Sequence, residues 1–212
     1  EDIKLGSMGK PVPGIKAEIV DDDGKIVKKG EGNIVLNPHF PGLMKAVWHR
    51  EDLYNSYFKH GWYVTGDRGY KDEDGFFFFI GRRDDIIKTS GERVSPFETE
   101  SSLLEYPGVI EAAVVGKPDE LRGAILVAFL VLKDKKKASE EEKEKIKKFV
   151  KENLAGHAYP REIYFVDELP KNRSGKIVRM VLKQLLIGEK VELAGLANPK
   201  VVEEIKRVIE RG

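Results

Sequence analysis

Residues 15–20 (Ile15-Lys16-Ala17-Glu18-Ile19-Val20) alternate apolar and polar positions, as a half-buried strand does. Asp21-Asp22-Asp23-Gly24 reads as a turn, with strands expected at residues 25–27 and 32–36. It lacks the spaced ligands of a calcium-binding EF-hand loop. Lys71-Asp72-Glu73-Asp74-Gly75 is a similar turn, leading into a buried strand at residues 76–80 whose four Phe alternate between two faces. Beyond Gly81 the period changes. Ser95-Pro96-Phe97-Glu98 predicts a capping box with Pro at the first helical position, opening a helix that ends near Glu105. Residues 109–116 and 124–132 read as strands joined by a loop over 117–123. The basic run at 133–137 reads as a solvated loop. Ser139 caps a helix whose apolar positions Ile146, Phe149, Val150 and Leu154 recur at helical spacing. A strand at 163–166, a helix over about 178–186 and a last helix opening at Asn198-Pro199 complete the pattern.

This order predicts an α+β chain. A β-rich, barrel-like subdomain (residues 1–81) precedes a small α+β domain with a mostly antiparallel sheet flanked by helices (86–187). Residues 82–85 join the two, and 188–212 form a tail ending in a helix. The 212 residues suffice for two modest cores. Lys+Arg 37 against Asp+Glu 36 leaves a net charge of +1, which argues against recruitment of nucleic acid. No apolar run is long enough to span a bilayer. Zero cysteines exclude disulfides, thiolate metal sites and Cys nucleophiles, and fit a cytoplasmic location. His39, His49, His60 and His157 are scattered without ligand spacing, so no metal site is expected.

Four stretches carry candidate chemistry. In Thr65-Gly66-Asp67 a carboxylate follows a sharp turn, suited to accept hydrogen bonds from two vicinal ribose hydroxyls; taken alone, Asp67 reads first as stabilising its own turn. Arg82 follows Gly81 and offers a planar fork to a sugar or phosphate, or to a surface ion pair. Lys88-Thr89-Ser90-Gly91-Glu92-Arg93 places two cations around a glycine that leaves room for a ligand beside the main chain. Pro170-Lys171-Asn172-Arg173-Ser174-Gly175-Lys176 puts a cation on a glycine-containing turn; an isolated turn lysine is ordinarily just solvated.

The order Thr65-Gly66-Asp67, Gly81-Arg82-Arg83-Asp84-Asp85, Ser90-Gly91-Glu92-Arg93 and Gly175-Lys176 resembles the C-terminal motifs of the adenylate-forming superfamily. Phe40-Pro41-Gly42, Arg122-Gly123 and Tyr159-Pro160-Arg161-Glu162 look most like its acetyl- and short- to medium-chain acyl-CoA synthetases. The resemblance implies two half-reactions: a carboxylate and ATP give acyl-AMP and pyrophosphate, then coenzyme A displaces AMP. It assigns the adenylation role to Lys176, ribose binding to Asp67 and Arg82, a place near the nucleotide phosphate to Arg93, and the hinge to Asp84. Ser90 and Gly91 would line the pantetheine path. Lys151 would contact a coenzyme A phosphate, or else be a solvated helix lysine. Acylation of an exposed Lys176 would cancel its charge and switch the enzyme off.

Some relatives hold a structural cation partly through a His where Tyr106 stands here, so that metal is not expected. The family's phosphate loop, its adenine and acyl pockets and its magnesium-binding Glu precede the matched segment. The start at Glu1, without Met or apolar signal region, likewise suggests a piece of a longer synthetase. The chain alone is expected not to form acyl-AMP, and Mg with ATP would be held outside it. Two alternatives are a ligase serving a carrier protein and a non-catalytic nucleotide-binding or interaction module.

Overall fold

A computed structural model describes residues 3–154, 156 and 158–211. The chain divides into two compact units, Glu1–Asp84 and Asp85–Gly212.

The first unit is an antiparallel sheet built around one long strand. Its elements are β1 (Ala17–Val20), β2 (Gly32–Leu36), α1 (Glu51–Ser56), β3 (Phe58–Lys59), β4 (Trp62–Lys71) and β5 (Phe77–Arg82). β2 pairs with β1 and with β4, while β3 and β5 pair with successive stretches of β4. Ile19, Ile34 and Phe77 form its small core. The strand expected at residues 25–27 is reduced to one bridge between Val20 and Ile26, because the acidic turn closes back through Asp21. Of the Phe run, Phe76 and Phe77 are buried, and Phe78 stacks on Tyr70 across the β4–β5 pair.

The second unit is a three-stranded sheet covered on both faces. β6 (Ile87–Thr89) and β7 (Glu92–Val94) form a hairpin, followed by α2 (Pro96–Glu105), β8 (Val109–Asp119) and β9 (Gly123–Leu132). α3 (Glu140–Asn153), β10 (Glu162–Phe165), α4 (Arg179–Leu186) and α5 (Val201–Arg211) follow. β8 runs antiparallel and β10 parallel to β9, with α3 supplying the crossover a parallel pair needs. Alternation along the strands sorts the core into two layers. Val114, Leu126, Ala128 and Leu130 face Leu103 of α2 and Ile146 and Val150 of α3. Ala113, Val115, Val127 and Phe129 face Val181 and Leu182 of α4 and Val201, Val202 and Ile205 of α5.

Two expectations need correction. β8 and β9 extend well into the expected 117–123 loop, pairing as far as Asp119 and Gly123. Ser139 does cap α3, accepting from Glu142 N at 3.2 Å, but Ser95 makes no side-chain cap on α2. Pro96 at the first helical position, its φ already helical, starts that helix instead.

Candidate active site

The first unit brings two of the predicted residues together. Asp67 and Arg82 are register partners on β4 and β5. Arg82 Nη1 donates to Asp67 Oδ1 at 2.9 Å and to Thr65 O at 3.1 Å. Thr65 fixes the turn, donating its hydroxyl to Ile34 O at 2.7 Å and accepting Asp67 N at 3.1 Å. Gly66 has φ +84, and a Cβ there would sit 2.7 Å from Arg82 Nη2. Glycine thus supplies both the left-handed backbone and the space for the guanidinium. Both side chains stay reachable, at 34% exposure for Asp67 and 47% for Arg82. The result is an acceptor beside a fork of donors, suited to a vicinal diol. Asp84 is exposed in a short 3-10 turn, Arg83–Asp85, where the two units divide.

In the second unit, Ser90 and Gly91 form the two-residue turn of the β6–β7 hairpin. Both have positive φ, 51 and 85, which a tight primed turn requires. Ser90 N donates to Arg122 O at 2.9 Å, seating the hairpin on the β8–β9 loop. Arg93 is exposed on β7 directly opposite Lys88, two like charges held side by side. Thr89, Ser90, Leu126, Gly156, Tyr159 and Arg161 line a recess of about 300 Å³. Arg161 stands 4.4 Å and Lys151 Nζ 5.6 Å from the Tyr159 ring centre, so two cations lie over one aromatic of the recess. The sequence offered Lys151 as a coenzyme A contact but gave no sign that Tyr159 and Arg161 line a recess, since nothing local links them to Ser90.

Lys176 lies on a turn held from within. Asn172 Oδ1 accepts from Ser174 N at 3.0 Å, Ser174 Oγ at 2.8 Å and Lys176 N at 2.9 Å. Asn172 N donates to Lys176 O at 2.9 Å, and Val178 N to Pro170 O at 2.8 Å. The Lys176 side chain is exposed, and its amine meets no carboxylate among the described residues. Lys171, five positions earlier, is paired with Glu111 at 2.6 Å, so the turn keeps one cation and presents Arg173 and Lys176. Glu111 had no motif to betray it, and nothing in the 170–176 stretch marked Asn172 as the brace of its turn.

Tyr164, Tyr106 and Arg179, whose titrations shift, are supports within the second unit. Burial and then the Glu162 carboxylate push Tyr164 up to about 12. Burial and then Glu142 raise Tyr106, whose hydroxyl donates to Glu142 Oε1 at 3.2 Å. The Glu100 carboxylate raises Arg179. No cluster of three or more His, Cys, Asp or Glu that could hold a metal occurs among the described residues, and His157 lies outside them. No helix among them is long and apolar enough to cross a membrane.

This two-sided α+β unit with a lysine turn, preceded in the chain by a sheet bearing an Asp–Arg pair, has the element order of an acid–thiol ligase's C-terminal region. Residues 98–176 match the family described as the AMP-binding enzyme C-terminal domain. The chain belongs to the adenylate-forming acyl-CoA synthetases, of whose sequence it carries C-terminal residues. It is 53% identical over 184 residues to acetyl-coenzyme A synthetase of Bacillus subtilis, covering 86% of this chain and 32% of that protein. It is 45% identical over 188 residues to the mitochondrial acyl-coenzyme A synthetase ACSM3 of Rattus norvegicus, covering 86% and 32%. Among solved structures, o-succinylbenzoate CoA synthetase of Bacillus subtilis in complex with its acyl-adenylate intermediate matches with a TM-score of 0.74 and 38% identity. That match covers 85% of this chain and 36% of the other. The chain spans about a third of the length of the curated relatives it matches.

Proposed function

We propose that this chain provides the ribose-binding strand pair and the lysine-bearing lobe of a cytoplasmic, AMP-forming acyl-CoA synthetase acting on a short- or medium-chain acid. The observation that carries the reading is Lys176: an exposed amine, meeting no carboxylate among the described residues, on a turn whose backbone is fixed by Asn172. In the first half-reaction a substrate carboxylate oxygen attacks the α-phosphorus of ATP, and the bond to pyrophosphate breaks. Negative charge gathers on the oxygens between the two reactants, and the Lys176 ammonium stabilises it there. Asp67 and Arg82 hold the ribose, and Arg93 with Lys88 answers the phosphates. An anion there would also relieve the repulsion between these two cations.

In the second half-reaction the coenzyme A thiol gives up its proton and attacks the acyl carbon, and AMP leaves with the bridging oxygen. Ser90 and Gly91 border the pantetheine path, and Lys151 with Arg161 offers charge to a phosphate at the edge of the recess. The two steps need different faces of the second unit, so rotation about Asp84 separates them. Mg²⁺ would arrive with ATP and be held by residues beyond these 212, so the chain alone does not form acyl-AMP.

In the synthetase carrying this chain, Lys176→Ala is expected to lower ATP–pyrophosphate exchange by about 10²–10³. Thioester formation from supplied acyl-AMP should fall far less. Equal loss in both half-reactions would remove the role assigned to Lys176.

A further inference from the structure

The turn that carries Lys176 is also held from outside, by two attachments to the residues just before it. One is the ion pair between Lys171 Nζ and Glu111 Oε1 of β8, at 2.6 Å. The other comes from residues 196–198, far along the chain. Asn172 and Leu196 form an antiparallel bridge, and Ala197 N donates to Lys171 O at 2.8 Å. Asn198 completes this attachment with both ends of its amide: Oδ1 accepts Lys171 N at 2.9 Å, and Nδ2 donates to Leu169 O at 2.8 Å.

One side chain therefore grips the backbone on either side of Pro170, which has no N–H of its own. The chemistry is specific to an amide. Alanine would leave a donor and an acceptor unserved, and aspartate would set a carboxylate oxygen against the Leu169 carbonyl. The gripping segment is itself anchored, because Leu196 and, beyond it, Val201, Val202 and Ile205 pack into the core beneath α4 and α5.

We propose that Asn198 is a positioning residue for the adenylation step, transmitting the rigidity of that core to the turn bearing Lys176. The inference rests on the proposed role of Lys176. A lysine on an exposed turn delivers its charge usefully only if the turn's base is fixed, and an error of about 1 Å costs on the order of a hundredfold in rate. The thioester step, which does not use Lys176, has no such demand.

The test uses the full synthetase. Asn198→Ala is expected to lower kcat for ATP–pyrophosphate exchange by about tenfold or more, with KM for ATP and thioester formation from supplied acyl-AMP changing less than about twofold. Asn198→Asp, which retains an acceptor for Lys171 N, should fall between. Glu111→Gln, at the other attachment, should show the same selectivity and serves if Asn198→Ala does not fold. In this chain itself, amide exchange at Asn172 and Lys176 should quicken in Asn198→Ala. Lys176→Ala is run alongside. If it leaves adenylation intact, the underlying reading fails. If it blocks adenylation while the Asn198 and Glu111 variants slow both half-reactions in proportion, or neither, the positioning role alone is overturned. Unchanged amide exchange at the turn overturns it too.

Discussion

Replacing Arg179 by Met isolates the ion pair that ties α4 to α2. Glu100 is 5% exposed, and Arg179 donates to both of its oxygens, at 2.8 and 2.5 Å. Glu100 Oε1 also accepts Val114 N at 2.8 Å, so α2, β8 and α4 meet at one carboxylate. Met fills much of the arginine stem's space but leaves the carboxylate with one backbone donor. Breaking one side of a buried pair costs about 3–5 kcal/mol. Arg179 keeps 30% of its side-chain surface in water, so solvent replaces part of the loss and about 2–3 kcal/mol remains. For a unit of this size that is a fall of roughly 10 °C in Tm. Glu100→Gln keeps an acceptor for Val114 N yet turns an amide against the guanidinium, costing about 1.5–3 kcal/mol. In the double variant that clash is gone, so the two losses should not add, with a coupling of about 1.5–3 kcal/mol. Urea unfolding followed by far-ultraviolet circular dichroism reads this directly, because α2 to α5 lie in the second unit. A loss below about 0.5 kcal/mol for Arg179→Met, or strict additivity, would refute the reasoning.

Three further outcomes follow from particular contacts. Gly66→Ala forces a side chain into φ +84 and against Arg82, at a backbone cost of about 1–2 kcal/mol; KM for ATP should rise about tenfold in the synthetase, and an unchanged KM argues against the Asp67–Arg82 ribose site. Tyr164, pushed up from 10.0 to about 12, favours its neutral form in the fold, so its contribution is whole below pH 10 and is lost as pH rises through about 12. Tyr164→Phe should flatten the decline in unfolding stability over that window, measured by urea titration; identical slopes count against the assignment. Asp84→Pro should trap one arrangement of the synthetase and separate the two half-reaction rates, whereas two unchanged rates would remove the hinge.

The second unit was the more legible half. Continuous apolar runs at residues 109–116 and 124–132 announce strands buried on both faces, and Ser139 with the Ile146–Val150 spacing announces α3. The parallel direction of β10 was not readable, because four residues carry no sign of orientation. The β6–β7 hairpin was missed because its strands are short and charged, and Ser90 is an uncommon residue at positive φ. α1 escaped because none of its residues is buried and so no apolar stripe marks it. β4 was hidden by Gly66 and Gly69, which interrupt the expected strand composition. The site showed the same division. The residues proposed to face ligand fall in short motifs, and Asn172 sits inside one of them, whereas Glu111 and Asn198 hold the Lys176 turn from distances along the chain that local pattern does not record.

The central claim is that a positive charge at position 176 serves adenylation, and chemical restoration of that charge tests it most directly. The chain has no cysteine, so Lys176→Cys introduces its only thiol. In a synthetase whose other reactive thiols have been replaced, that variant should be deficient in ATP–pyrophosphate exchange. Alkylation with 2-bromoethylamine, which rebuilds a lysine-like amine, should restore most of the exchange, while neutral iodoacetamide should restore none. Equal recovery with both reagents, or with neither, would contradict the account.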